Sequence, residues 1–165
     1  MGKSNIVMTR VDARLIHGQV AVRWTKVLLA KKIVVIDNKS AADEFLKELL
    51  LLAAPNGVEV KVWSEEEALT EWEKGYGEQN TIIIFQNIET AKRCWDQGLK
   101  FESINIGQVP KTPERIYHAN NTVHLTEEEL QALTDLNGAN VEVYFHPTPE
   151  DRKVDYESAY KRVKG

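Results

Sequence analysis

The sequence predicts a single α/β domain built on an open, mostly parallel seven-stranded sheet with helices on both faces. Three observations carry this. Short β-rich runs alternate with helical patterns along the whole length. Two of those runs, KIVVID (32–37) and TIIIFQ (81–86), are almost unbroken in apolar residues, as strands covered on both faces are. Residues 1–165 contain no linker, low-complexity segment or internal repeat, so one domain with one good core accounts for all of them.

The first strand is NIVMT (5–9), and GQVAVRWTKVLLA (18–30) follows as a helix with Val20, Trp24, Val27 and Leu28 on one face. KIVVID is the second strand. Ser40 is placed to cap a helix from Ala41 to about Ala53, which Pro55-Asn56-Gly57 closes. VEVKVW (58–63) alternates with period two, and Ser64 with Glu67 forms a capping box for a helix ending near Gly75. TIIIFQ is the most deeply buried strand, followed by a helix over 89–97 that stops at Gly98. SINIG (103–107), TVHL (122–125) and VEVYF (141–145) supply the fifth, sixth and seventh strands. Thr126 with Glu129 makes a second capping box, and Thr148-Pro149 opens the last helix with proline at its first position. The least regular stretch is 108–121, with Pro110 and Pro113, and long loops of this kind are often functional.

Hydrophobic residues make up 42% of the chain and charged residues 28%, the balance of an ordinary globular protein. The formal charge of -4 gives no global attraction to nucleic acid or to an anionic membrane. The single cysteine, Cys94, excludes an internal disulfide and a cysteine-built zinc site, and fits a reducing cytoplasm. The longest apolar run, LLLLAA at 49–54, is far short of a membrane span, so direct membrane insertion is not expected. MGKSNIVMTR at the start lacks the pattern of a signal peptide.

In open parallel sheets ligands gather at the carboxyl ends of the strands. The first strand ends near Arg10, so 11–17 forms a loop on that edge and places His17 at the first turn of the first helix. Unbonded backbone N–H groups there favour an anion, Gly18 lets the backbone approach it closely, and Arg14 adds a planar cationic fork suited to phosphate oxygens. The residues alone leave two other readings open. His17 could be a helix-cap residue in a non-catalytic binding or regulatory domain, or an acid–base in a small-molecule enzyme. Asp12 could orient His17 or Arg14, or could pair with Arg10 and pin the loop. Asp37, Phe85, Gln86, Asn87, Gly107 and Gln108 end other strands on the same edge, which suits a phosphate surround or a partner contact. The remaining histidines, His118, His124 and His146, have no metal-ligand spacing, and the four tryptophans sit at separate packing positions.

The string RVDARLIHGQV (10–20), followed by Trp24, resembles the signature of the IIB component of the mannose/fructose/sorbose class of the bacterial phosphoenolpyruvate-dependent sugar phosphotransferase system. The similarity continues in VVIDNKSAAD (34–43), LLAAPNGVEV (51–60) and SINIG. The resemblance implies a phosphocarrier: His17 accepts a phosphoryl group from a phosphorylated IIA protein and passes it to a sugar entering through membrane IIC and IID subunits. Arg14 would balance the charge in transfer with Asp12 beside it, while Arg10, Gly18 and Gln19 belong to the surrounding cradle. Transfer between imidazoles requires no metal, nucleotide or other cofactor. The chain would stay cytoplasmic, held at the inner face of the membrane by its partners. Ala13 stands where an acidic residue is common in the family, and Gln108 where a second glycine is frequent; both leave His17 and Arg14 in place.

Overall fold

The computed structural model describes residues 2–164. The chain runs β1 (Ser4–Asp12), α1 (Gly18–Leu28), β2 (Lys32–Ile36), α2 (Asn38–Ala42), α3 (Glu44–Leu52), β3 (Glu59–Trp63), α4 (Glu65–Lys74), β4 (Gly77–Phe85), α5 (Ile88–Asp96) and β5 (Ser103–Gln108). It continues through β6 (Tyr117–His118), β7 (His124–Leu125), α6 (Glu127–Gly138), β8 (Glu142–Phe145), β9 (Val154–Asp155) and α7 (Tyr156–Lys164). The sheet has seven strands in the order β3-β2-β4-β1-β5-β8-β9, parallel throughout except where β9 turns back along β8.

Two apolar layers sandwich this sheet. One holds Ala21 and Trp24 of α1 over Met8, Ile33, Val35, Ile82 and Ile84. The other holds Ala68, Ala91, Cys94 and Leu133, from α4, α5 and α6, over Val11, Val34, Ile83 and Phe85. The alternation of Ile82 and Ile84 with Ile83 and Phe85 between opposite layers explains why TIIIFQ has no polar face: both sides of β4 are covered.

The faces follow from the right-handedness of parallel crossovers. The chain moves outward from β1 to β2 and β3 with its helices on the α1 face. It then returns to β4 and crosses to β5 and β8 with its helices on the opposite face. At its carboxyl end β1 therefore sends its loop one way, and both neighbours, β4 and β5, send theirs the other. That divergence is the topological switch point of an open α/β sheet, and it opens a crevice at the end of β1.

Several elements differ from the sequence reading. β1 extends to Asp12, so the loop is shorter than 11–17. The helix expected from Ala41 to about Ala53 is two helices. Asp37 rather than Ser40 caps the first, and Asp43, in extended conformation, breaks the run and caps the second by accepting N–H bonds from Phe45 and Leu46. TVHL does not enter the main sheet: His124–Leu125 pairs antiparallel with Tyr117–His118 in a separate ribbon, whose first strand lies inside the stretch read as irregular. The seventh place belongs to β9, from the segment read as the start of the last helix. Thr148 does not open a helix because its N–H and Oγ both donate to Asp151 Oδ2, at 3.1 and 2.7 Å, closing a turn instead. Both capping boxes form as read.

Candidate functional site

Asp12 is the last residue of β1 and is 1% exposed. A carboxylate that far from water needs compensation. Its Oδ1 accepts from the backbone N–H of Arg14 (2.9 Å) and from Arg14 Nε (3.0 Å), and its Oδ2 accepts from Arg14 Nη2 (3.0 Å) and Arg10 Nη2 (3.2 Å). One buried anion thus joins two cations. The structure gives Asp12 no bond to His17, so of the roles open to it, it takes those of orienting Arg14 and pairing with Arg10.

Arg10 is 2% exposed and does not face a solvent-open cradle. Burial lowers its pKa, and Asp12 opposes the shift. Its Nη1 donates to the carbonyl of His146 (3.0 Å) and its Nη2 to that of Pro147 (2.9 Å), with the guanidinium 5.9 Å from the centroid of Trp24. Gly107 lies directly against it: a Cβ there would sit 2.1 Å from Arg10 Cζ. The glycine at the end of SINIG is therefore required by close packing on a buried arginine.

Arg14 has a side chain 35% exposed. Asp12 grips it bidentately through Nε and Nη2, which fixes the plane of the fork and leaves Nη1 without a partner among the described residues. The loop beyond it turns on Leu15, whose φ of 60° is left-handed and whose N–H returns to the Asp12 carbonyl at 2.9 Å. Leu15 and Ile16 then sink into the apolar layer beneath α1, each 7% exposed. That explains an apolar pair beside a histidine: the pair anchors the loop, and His17, the next residue, is left exposed.

His17 is the N-cap residue of α1, with φ -121° and ψ 99°, but its side chain makes no capping bond. The helix-cap reading therefore finds a backbone cap and an uncommitted imidazole. Ala21 N–H is the first to bond back into the helix, to the His17 carbonyl at 3.2 Å. The N–H groups of Gly18, Gln19 and Val20 precede it and stand at the positive end of the helix dipole. Gly18 has φ +26° with open space around it, so it serves the turn into the helix.

The other strand-end residues form the frame. Ala13 N–H donates to the Gln108 carbonyl at 3.0 Å, and Gln86 Nε2 reaches the Ala13 carbonyl at 3.5 Å. Gln108 Oε1 is buried without a partner among the described residues. Asp37 caps α2, accepting from Ser40 Oγ at 2.6 Å, and Asn87 caps α5 through Thr90 N–H at 2.8 Å. Phe85 is wholly in the core. These three cap and pack the elements around the site.

Asn105 was not singled out from the sequence. It is fully buried in β5, its Nδ2 donating to the His146 carbonyl (2.9 Å) and its Oδ1 accepting His146 N–H (3.0 Å). Trp24 Nε1 donates to the Pro147 carbonyl at 3.1 Å. Residues 146–147 are thus docked onto the site from β1, β5 and α1. A polar residue inside the apolar run SINIG was the available signal, since a buried amide must be bonded.

The cavity beneath the loop, lined by Asp12, Leu15, His17 and Trp24 among others, holds only about 20 Å³. A roomier cavity of about 460 Å³, lined by Asn5, Met8, Thr9 and Ser103, lies at the opposite edge of the sheet. Chemistry, not volume, distinguishes the first: an exposed imidazole, a braced arginine and free helix N–H groups converge at the switch point.

The family model described as the PTS system sorbose subfamily IIB component matches residues 6–164. The chain belongs to this IIB family. The sorbose-specific EIIB component of Klebsiella pneumoniae is 30% identical over 151 residues, covering 91% of this chain and 92% of that protein. The mannose-specific EIIAB component of Escherichia coli (strain K12) is 31% identical over 150 residues, covering 90% of this chain but 46% of that longer protein, so the chain spans about half its length. Among solved structures, manxB from Thermoanaerobacter tengcongensis superposes with a TM-score of 0.92 at 38% identity, with both chains fully covered. None of this chain's described helices is long and apolar enough to cross a membrane.

Proposed function

We propose that this IIB chain is a phosphocarrier. The His17 imidazole takes a phosphoryl group from the phosphohistidine of a IIA protein and delivers it to a sugar presented by membrane IIC and IID subunits. The observation that carries this reading is the uncommitted, exposed His17 imidazole on a loop that also presents Arg14, with Arg14 braced by a buried carboxylate. A neutral imidazole nitrogen attacks phosphorus, the bond to the IIA histidine breaks, and the departing imidazole keeps its electron pair. The three outer oxygens carry the charge between the rings, where the Arg14 Nη1 edge and the α1 N–H groups can meet it. The phosphoramidate is labile, so the same group leaves in the second transfer.

The small volume beside His17 suits a surface that works against partners. A sugar has no enclosed place there, which fits its being held by the membrane subunits, and these would also keep the IIB chain at the inner face of the membrane. Relatives are named for sorbose, mannose, fructose and N-acetylgalactosamine, so what they share is the carrier role and not one sugar.

The test is incubation with a phosphorylated IIA protein, followed by membranes containing the IIC and IID subunits and sugar. One acid-labile, base-stable phosphate per chain is expected, on His17, lost on addition of membranes and sugar and absent from His17→Ala. Label on His118, His124 or His146, or a label that membranes and sugar do not discharge, would refute the reading.

A further inference from the structure

The ribbon β6–β7, joined to the end of β5, brings together two imidazoles that the phosphoryl chemistry does not use. His118 and His124 are directly opposite each other in the antiparallel register. Their Nδ1 atoms are 2.7 Å apart, with ring centroids at 4.8 Å. The neighbouring pair, Tyr117 and Leu125, occupies the other side of the ribbon, where Leu125 is buried, so the two histidines share the outward side. A separation of six residues in sequence gives no metal-ligand spacing; the hairpin creates the pair.

We propose that His118 and His124 form a bidentate site for a first-row divalent transition-metal ion. The two nitrogens are almost at chelating distance already. A metal–nitrogen bond of about 2.0–2.1 Å sets two ligands roughly 3.0–3.4 Å apart, so the rings need to part by roughly 0.3–0.7 Å and rotate until both Nδ1 lone pairs meet on one ion. The backbone that carries them is preorganised. Asn120 Oδ1 accepts from the N–H groups of Thr122 (2.9 Å) and Val123 (2.8 Å), fixing the turn between the strands. Thr122 Oγ donates to the Gly107 carbonyl at 2.8 Å, and Val109 exchanges backbone bonds with Thr122 and His124, fastening the ribbon to the end of β5. Little ordering is left for an ion to impose.

The ligand type sets the ion class. Imidazole suits copper, nickel and zinc, and disfavours magnesium and calcium, which take oxygen. Among the described residues no group of three or more histidine, cysteine or carboxylate side chains is placed to hold a metal ion, so water completes the coordination. In the neutral pair one Nδ1–H is donated to the other Nδ1. On binding, that proton moves to Nε2 of its own ring through solvent, both Nδ1 lone pairs go to the metal, and no net proton is released. Acid competes for the same lone pairs and should expel the ion.

The experiment is titration of the purified full chain with Cu²⁺ and, separately, Ni²⁺, in a non-chelating buffer. One ion per chain is expected, bound more tightly for Cu²⁺ than for Ni²⁺, with two-nitrogen coordination visible in the Cu²⁺ electron spin resonance spectrum. His118→Gln and His124→Gln should each weaken binding by roughly 10²-fold, the loss of an effectively intramolecular second ligand. His146→Gln and His17→Ala should bind as the wild type does. The metal should also raise the melting temperature of the wild type and leave that of His118→Gln unmoved. Wild-type affinity in both ribbon variants would put the ion elsewhere and overturn the proposal, as would one-nitrogen coordination.

Discussion

Asp12 carries two distinct obligations, and substitutions separate them. Its bond with Arg10 is buried on both sides, whereas its bond with Arg14 reaches solvent. Removing one member of a buried pair leaves the other uncompensated. Asp12→Asn should therefore destabilise the fold by about 3–5 kcal/mol, a fall in melting temperature of roughly 6–20 °C for a domain of this size. Arg14→Ala leaves the buried pair intact and should melt within a few degrees of wild type. Its cost falls on rate, because one preorganised charge donor is gone: transfer from IIA to His17 and from His17 to sugar should each slow by roughly 10²–10³-fold. Arg14→Lys should recover only part of that, keeping the charge and losing the planar fork. Rapid-quench transfer beside thermal melts measures both effects. Arg14→Ala transferring at the wild-type rate would remove the arginine from the mechanism. The motif string singles out His17 and Arg14 but does not divide the labour of Asp12, because sequence spacing says nothing about which arginine is buried.

At the scale of elements, legibility followed burial. β2 and β4 were plain because both faces are covered and their residues are uniformly apolar. The capping boxes were plain because both partners lie within four residues. The misread elements are those decided by a single side-chain contact or by distant pairing. Asp43 ends one helix and starts another in a stretch whose apolar content alone reads as continuous. β9 is two residues long and exists only because the Thr148–Asp151 turn folds it back along β8. α5 offers a direct probe of element stability. Burial pushes its Cys94 thiol up to about 12. In the folded protein at pH 9 the thiol should resist alkylation, and labelling should track opening of the layer around Ile88, Ala91 and Leu133. An unfolded thiol ionises near its ordinary value of about 8.5 while the folded one keeps its proton, so this group makes stability fall as pH rises from about 9 towards 12. Alkylation of the native protein at the rate of free cysteine would show that α5 is not held as described.

At the scale of the whole molecule, the site depends on a contact that joins opposite ends of the chain. Arg10 bonds the carbonyls of residues 136 and 137 positions later, and Asn105 holds the same turn from β5 through both ends of its amide. No local pattern announces this, since 146–147 is an ordinary Pro-containing turn in sequence. Its role arises only when β8 takes its place beside β5. The Arg10 guanidinium is in turn one of the two cations on Asp12, so the turn bears on the plane in which Arg14 is held. Asn105→Leu keeps the branching and heavy-atom count of the side chain, adds bulk, and removes both bonds to His146. It leaves a buried N–H without its partner and removes one of two donors from a carbonyl, which should cost about 2–4 kcal/mol. Hydrogen exchange should rise at 146–152 and at the Arg14 amide, with the β2–β3 pairing unchanged. Phosphoryl transfer should slow by less than in Arg14→Ala, and the added variant Asn105→Leu/Arg14→Ala should be no slower than Arg14→Ala alone, because the turn acts through Arg14. Additive losses in that double variant would mean that 146–152 reaches the partner or the phosphoryl group by itself, and that the chain of contacts through Arg10 and Asp12 only stabilises the fold.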